Sequence, residues 1–398
     1  MSSPLEGIRV IDLTRAMAGP YATMILADLG AEVIKIEHPE GGDVTRGWKP
    51  PEIASESAYF LSINKNKKSL AVNFKDERGR EIIYKLIKVS DVLIENFRPG
   101  VLTKYKLDYE SVKDLNPKLI YCSISGYGQT GPYRDKPSFD LSVLAAGGIM
   151  SITGEPGGEP VKFGVPIADI GAAMYAVIAI LTKLYTRERD GRGGYIDISM
   201  FDVQISWLTH QAFYYFATGR DPVRMGSAHP QIVPYQAFKA KDEWIVITVG
   251  SEAIWRRFTE AIGRPELADD PRFKTNADRV RNRDILIPIL KEIISTKTRD
   301  EWLKIFDRYG VPASPVNKVS EALNSPQTKA REMVGYIYDN SRNANIPYIN
   351  LPIKFSDFKP KVRNPPPKLG QHTVSILKMI GYSDSEIEVL KKDGVIYY

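Results

Sequence analysis

The first third of the chain alternates short apolar runs with amphipathic stretches. Ile8-Arg9-Val10-Ile11-Asp12-Leu13, Glu32-Val33-Ile34-Lys35-Ile36, Val92-Leu93-Ile94-Glu95 and Leu119-Ile120-Tyr121-Cys122-Ser123-Ile124 have the length and β-branched content of strands. Between them, Pro20 to Leu29 predicts a helix entered from Gly19-Pro20 and left at Gly30, where proline and glycine suit helix ends. Glu77 to Lys88 predicts a second, with Ile82, Ile83, Leu86 and Ile87 on one face. Strands alternating with helices in this rhythm form βαβ units around a parallel sheet.

Further along, Ile170 to Tyr185 is apolar almost all round and predicts a buried helix. Tyr195 to Met200 alternates as a strand after the turn formers Asp190 to Gly194. An aromatic-rich helix runs through Tyr215, and Gly219 to Pro234 reads as a linker between domains. The second unit has a strand at Glu243 to Val249, helices at Ala253 to Ile262, Arg283 to Ile294 and Arg299 to Arg308, and an exit at Pro312 and Pro315. Arg363 to Pro367 predicts a stiff extended connector, and Thr373 to Ile380 a closing helix. A length of 398 residues exceeds what one core organises. The expected layout is an α/β domain over 1–200, a linker over 201–234, a smaller α+β domain over 235–320, and a tail over 321–398.

Composition narrows the class. With 43% hydrophobic and 26% charged residues the chain has the balance of a soluble globular enzyme. The net charge of +6 is spread too thinly to imply nucleic acid, and no nucleic-acid-binding motif accompanies it. The runs Lys65-Asn66-Lys67-Lys68 and Lys391-Lys392 read as solvated faces, with an anionic cofactor as the other reading. One cysteine, Cys122, allows no intramolecular disulfide and suits a reducing, cytoplasmic setting. The N-terminal residues lack the pattern of a signal peptide, and no uncharged apolar run approaches about 18 residues, so no membrane partner is expected.

Candidate chemistry is sparse. Gly126-Tyr127-Gly128-Gln129-Thr130-Gly131 has the spacing of a dinucleotide loop, but Pro132 and Pro137 forbid the helix that must follow, so it predicts a turn-rich loop. There is no Gly-x-Ser-x-Gly elbow, and His38, His210, His229 and His372 have no metal-ligand spacing. Asp169 heads the most apolar helix in the chain. That position suits a helix cap. It also suits a nucleophile, because a helix N-terminus keeps a carboxylate ionised and an ionised carboxylate can attack an activated acyl carbon.

The order of motifs resembles the class III CoA-transferase family, which includes formyl-CoA transferase, carnitine CoA-transferase and the isomerising α-methylacyl-CoA racemases. The resemblance spans nearly the whole chain: Leu5 to Thr14, Ala18-Gly19-Pro20, Leu29 to Glu37, Gly42-Asp43, Asn64 to Ser69, Glu95 to Gly100, Gly126-Tyr127-Gly128, Asp169, Gly191-Arg192-Gly193, Asp270 to Phe273 and Leu369 to Thr373. It implies a large Rossmann-like domain, to which the C-terminal tail returns, a smaller α+β domain, and an interlocked homodimer. It makes Asp169 the catalytic aspartate. Coenzyme A would be bound by Met17, Ala18, His38, Val72, Asn73, Phe74, Lys75, Asn96, Phe97, Arg98, Lys104, Pro137 and Phe139, with no metal; arginine is common in the family at the place of His38.

The racemase branch carries a histidine where this chain has Phe139, in Pro137-Ser138-Phe139-Asp140. Phenylalanine cannot move a proton, so the resemblance favours transfer over racemisation, and both over a non-catalytic CoA-binding protein. The glycine-rich loop of formyl-CoA transferase has no counterpart at Val249-Gly250-Ser251-Glu252. The implied reaction passes CoA from an acyl-CoA to a small carboxylic acid, such as succinate, through mixed anhydrides and an aspartyl-CoA thioester. Oxyanion donors are expected among the amides of Gly126 to Gly128 or of Ile170 and Gly171.

Overall fold

The computed structural model of the chain describes residues 3–398. In chain order it has β1 (Arg9–Asp12), α1 (Ala18–Asp28), β2 (Glu32–Glu37), a short ladder of β3 (Glu52–Ile53) and β4 (Glu56–Ser57), α2 (Ala58–Ile63), β5 (Lys67–Val72), α3 (Glu77–Lys88) and β6 (Val92–Glu95). Then come α4 (Tyr109–Val112), β7 (Ile120–Ser125), α5 (Asp140–Ala146), α6 (Ile149–Ile152), α7 (Ile167–Asp190), β8 (Gly194–Ser199), α8 (Met200–Trp207) and α9 (Thr209–Thr218). The remainder holds β9 (Tyr235–Lys239), β10 (Trp244–Thr248), α10 (Glu252–Ala261), α11 (Asn276–Arg281), α12 (Arg283–Ile294), α13 (Arg299–Tyr309), β11 (Ala313–Pro315), α14 (Val319–Asn324), α15 (Pro326–Ala330), β12 (Val334–Asp339), β13 (Ala344–Ile349), α16 (Thr373–Met379), α17 (Asp384–Lys392) and β14 (Ile396–Tyr397). The chain divides into two compact units, the first built from Met1–Ile149, Phe163–His210 and Pro326–Tyr398, the second from Met150–Lys162 and Gln211–Ser325.

The first unit is organised by a seven-stranded sheet of order β14-β5-β2-β1-β6-β7-β8, parallel except for β14. Burial on both faces explains why its strands read as apolar runs. One face is covered by α3, α16 and α17, whose Ile82, Leu86, Leu377 and Leu390 pack on Ile11, Ile34, Leu70 and Leu93. Each such side chain contributes about 1.5–3 kcal/mol on burial. Helix α7 packs on α1, α8, β7 and β8. Gly171 is required there, because a Cβ would sit 2.4 Å from the Trp207 ring. Among the described residues α7 is the one helix long and apolar enough to cross a bilayer.

Strand β5 corrects the reading of Lys65 to Lys68 as a solvated face. Lys65 and Lys67 are buried, and Lys67 lies in the sheet. Each is drawn inward by a buried carboxylate: Lys65 pairs with Asp28, and Lys67 with Asp12 at 3.1 Å. Charge counting along a sequence assumes water as the partner, and here the partners are internal. The outer edge of β5 is covered by the tail. Asn66, Ser69, Ala71 and Asn73 bond to Asn364, His372, Thr373 and Val395, and Ile396 pairs with Val72. The extended connector at Arg363 to Pro367 is thus tied to the sheet. Lys391 and Lys392 are exposed in the last turn of α17, where the helix dipole favours cations.

The second unit has a three-stranded antiparallel sheet of order β11-β10-β9. Its core stacks Trp255, Phe258, Phe306 and Trp302 from α10 and α13. Ser251 and Thr298 cap these helices, the latter in a reciprocal pair with Glu301. The segment read as an exit at Pro312 and Pro315 forms strand β11 instead, since its residues bond to β10. The hairpin β12–β13, helix α17 and strand β14 are further elements that the apolar pattern does not signal.

Lys67→Ala strands the Asp12 carboxylate and should lower stability by about 3–5 kcal/mol. Lys68→Ala, whose ammonium meets Glu32 in solvent, should cost under about 1 kcal/mol. Urea denaturation of the two variants measures the difference, and equal costs would contradict the burial of Lys67.

Candidate active site

Strand order reverses on either side of β1, with β2 and β5 to one side and β6, β7 and β8 to the other. In open parallel sheets ligands gather at the carboxyl ends of the strands flanking such a reversal. The loops leaving β1 and β6 carry Met17, Ala18, Asn96, Phe97 and Arg98. Those leaving β2 and β5 carry His38 and Asn73 to Lys75.

The turn leaving β1 rests on buried charge. Asp12 accepts from the Thr14 amide at 3.0 Å and from the Thr23 hydroxyl at 2.7 Å, and it pairs with Lys67. Burial opposes its ionisation, but Lys67 and Lys35 outweigh burial and hold it far below the usual carboxylate range. Lys35 donates to the Thr14 carbonyl at 3.0 Å and pairs with Asp43 at 2.8 Å. Gly19 has no alternative in the Ala18-Gly19-Pro20 segment, because a Cβ there would lie 2.2 Å from the Thr14 methyl.

Asp169 is the third residue of α7 and not its cap. The cap position is Pro166, which offers no side-chain bond. The capping duty belongs to Asp140, the first residue of α5, whose Oδ1 lies 2.8 Å from the Ala168 amide and 3.4 Å from the Asp169 amide. The Asp169 carboxylate instead faces the Ala18 amide, at the N-terminus of α1. It is not held ionised as its helix position predicts. Burial, then the charge of Asp140, push it up to about 7 against the opposing pull of the Ala18 amide. The Ile170 amide, expected as an oxyanion donor, is taken by the Pro166 carbonyl at 3.0 Å. Ala18 is the amide that the fold aims at the carboxylate.

Two further groups escaped sequence reasoning. Tyr59 on α2 lies near these acids; burial, then the charges of Asp169, Asp140 and Asp43, raise its hydroxyl to about 12. It is therefore a proton-bearing hydrogen-bond donor at neutral pH. Nothing in its local sequence marks it. Asp140 stood beside Phe139 in a recognised segment, but its capping role is a contact across 28 residues.

The segments expected to hold CoA share the carboxyl edge of the first unit's sheet. Phe74 meets Phe97 edge-on at 6.1 Å and Tyr105 at 5.4 Å, which joins the Val72–Lys75, Asn96–Arg98 and Lys104 segments. Lys75, Arg98 and Lys104 are exposed there, free to meet phosphates, while Val72 is buried beneath them. Met17 precedes α1, and Ala18 is buried at its start. His38 folds back so that its Nδ1 accepts from the Glu40 amide at 3.1 Å. Pro137 and Phe139 are exposed, Phe139 by 77%, on the approach to α5. The Asn96 side chain is engaged with the backbone of Arg15. A cavity of about 250 Å³ opens beside Arg98, lined by Glu95, Tyr121, Ser123, Gln129, Arg134 and Tyr195. Residues 126–136 form turns and bends without a helix, as the prolines predict.

The carboxyl edge at the strand-order reversal gathers Ala18, which faces the buried Asp169, and the exposed cations Lys75, Arg98 and Lys104, the setting of a ligand-binding site in an open α/β sheet. The family model described as CoA-transferase family III matches residues 5–373. The chain is 42% identical over 397 residues to the succinyl-CoA:glutarate CoA-transferase of Homo sapiens, covering 99% of this chain and 90% of that one. It is 40% identical to the acetyl-CoA:oxalate CoA-transferase of Acetobacter aceti, over 94% of this chain and 95% of that one. A crystal structure of a CAIB/BAIF family protein from Brucella suis superposes with a TM-score of 0.85 at 43% identity, covering 96% of this chain and 100% of that chain. The chain belongs to CoA-transferase family III and is an enzyme that uses CoA thioesters as substrates.

The raised position of Asp169 disfavours its charged form in the folded state, by an amount that grows as pH climbs from the usual carboxylate range to about 7 and is full above it. Asp169→Asn removes that penalty. Its melting temperature should exceed the parent's at about pH 8 and match it near pH 4, by differential scanning calorimetry. A lower melting temperature at pH 8 would contradict the buried, unpaired carboxylate.

Proposed function

We propose that Asp169 is the nucleophile of a CoA transfer between carboxylic acids. The observation that carries this is the division of labour between two aspartates: Asp140 caps α7, so the Asp169 carboxylate stays unspent beside the Ala18 amide. Burial without a cationic partner also makes it more nucleophilic than a solvated carboxylate.

The Asp169 oxygen attacks the donor thioester carbonyl, and the C–S bond breaks to give a mixed anhydride and CoA thiolate. The thiolate attacks the aspartyl carbonyl, which forms an aspartyl-CoA thioester and releases the donor acid carrying one aspartyl oxygen. The acceptor carboxylate attacks that thioester, forming a second anhydride and freeing the thiolate again. Thiolate attack on the acceptor acyl carbon then yields the new thioester and restores the Asp169 carboxylate. The Ala18 amide is placed to stabilise the oxyanion at the aspartyl carbon. Tyr59 supplies a second donor nearby.

Racemisation has less support: Phe139 carries no proton, and the Asp140 carboxylate is occupied by two amides. We take succinyl-CoA as donor and a short dicarboxylic acid such as glutarate as acceptor, the pair for which the human relative is named. Lys75, Arg98 and Lys104 are the proposed phosphate partners of CoA. The same proposal places the enzyme in the cytoplasm as a homodimer. Its support is the single buried thiol, Cys122, and the apolar Met174, Tyr175, Ile178 and Tyr185 exposed along α7.

The test uses succinyl-CoA with glutarate labelled by ¹⁸O in both carboxyl groups. Turnover should leave one ¹⁸O in the peptide containing Asp169, and Asp169→Ala should lose CoA exchange by at least about a thousandfold. In deuterated water the α-carbons should take up no deuterium. Exchange that survives in Asp169→Ala, or label absent from the peptide after turnover, sinks the aspartyl mechanism; deuterium uptake without exchange supports the racemase instead.

A further inference from the structure

The turn between β1 and α1 keeps an alanine in a conformation that alanine avoids. Ala16 has φ of +63°, in the left-handed region, and such residues persist when their surroundings impose them. Four side chains do so here. Asp12 takes the Thr14 amide at 3.0 Å and Lys35 donates to the Thr14 carbonyl at 3.0 Å. Asp43 Oδ1 accepts from the Ala16 amide at 3.3 Å. Asn96, 81 residues further on, accepts from the Arg15 amide at 2.8 Å and donates to the Arg15 carbonyl at 2.8 Å.

The first three belong to the buried ionic framework, which serves the whole sheet. Asn96 is different. It leaves β6, across the strand-order reversal from β1, and both halves of its amide grip one residue's backbone as a neighbouring strand would. Two residues beyond Ala16 is the amide of Ala18, which faces Asp169. We propose that Asn96 is a positioning residue for the CoA transfer: its side chain holds the Arg15–Ala18 turn so that the Ala18 amide meets charge developing on the Asp169 carbonyl. The inference rests on the reading of Asp169 as nucleophile. A donor displaced by about 1 Å from such a position can cost on the order of a hundredfold in rate.

Asn96→Ala should therefore lower kcat by about ten- to a hundredfold while KM for the acyl-CoA changes less than about threefold. The acid limb of the kcat profile should also move to higher pH, because the Ala18 amide favours ionised Asp169 and its loss raises the carboxyl further. Adding Ala16→Gly should recover part of kcat, since glycine takes the left-handed conformation unaided; a lost cofactor contact would not be rescued this way. A rise in KM with kcat retained, an unmoved acid limb, or no recovery in the double variant overturns the proposal. If Asn96→Ala does not fold, Asn96→Ser carries the same readouts. Asp169→Ala measured alongside separates the two ideas: exchange surviving there refutes the nucleophile, whereas its loss beside a pure KM effect at Asn96 refutes only the positioning role.

Discussion

A charge that leaves water must find another charge, and the carboxyl edge of this sheet is built on that rule. Lys35 and Lys67 stand in neighbouring strands with their ammonium groups fully enclosed, against Asp12 and Asp43. An unpaired ion in such a place costs several kcal/mol, so each partner must occupy one position. The pairing brings β1, β2, β5 and the start of α1 to a common point. Burial pulls Lys67 down to about 8, with Asp12 working against it, while at Lys35 burial pulls down but Asp12, Asp43 and Glu37 together outweigh it and hold the group above its ordinary value. Arg46 extends the lattice, bonding Glu37 through two nitrogens and lying over the Phe60 ring at 3.7 Å. The turn that carries Ala18 is the half-buried corner of this framework.

The Asp169 carboxylate is governed by two helix N-termini and two aspartates that exchange roles. Each acid serves a helix other than its own: Asp140 from α5 satisfies amides of α7, and Asp169 from α7 meets the first amide of α1. A local cap is worth about 0.5–2 kcal/mol to its helix. Supplying it from elsewhere leaves α7 satisfied and its own carboxylate available. Proximity of the two acids then adds repulsion to desolvation, which raises Asp169 without any dedicated base.

The legible parts of the chain are those whose neighbours along the sequence are also their partners in space. Strands β1, β2, β6 and β7 declared themselves as apolar runs, and α3, α10, α12 and α13 by period and caps. Strand β5 was hidden because its lysines, Lys67 and Lys68, meet Asp12 and Glu32, 55 and 36 residues away. The short strands β11 and β14 exist only because β10 and β5 offer edges. The same divide runs through the site. Asp169 was singled out because an ordered series of motifs surrounds it, but the cap that frees it, the amide it faces and the nearness of Tyr59 are products of folding. The grip of the Asn96 side chain on the Arg15 backbone is likewise a product of folding.

The covering of β5 has a consequence for how the chain is made. On the ribosome β5 emerges early, yet the residues that close its edge, from Asn364 to Tyr397, are joined roughly 300 residues later, a wait on the order of 15–60 s at about 5–20 residues per second. For that interval the nascent sheet carries an open strand, the kind of surface that recruits other unfinished chains. Lysines are among the residues that discourage such pairing. Lys67 and Lys68 can thus serve twice: as guards of an unfinished edge while the tail is still being synthesised, and afterwards, in the case of Lys67, as the ion on which the finished site is built.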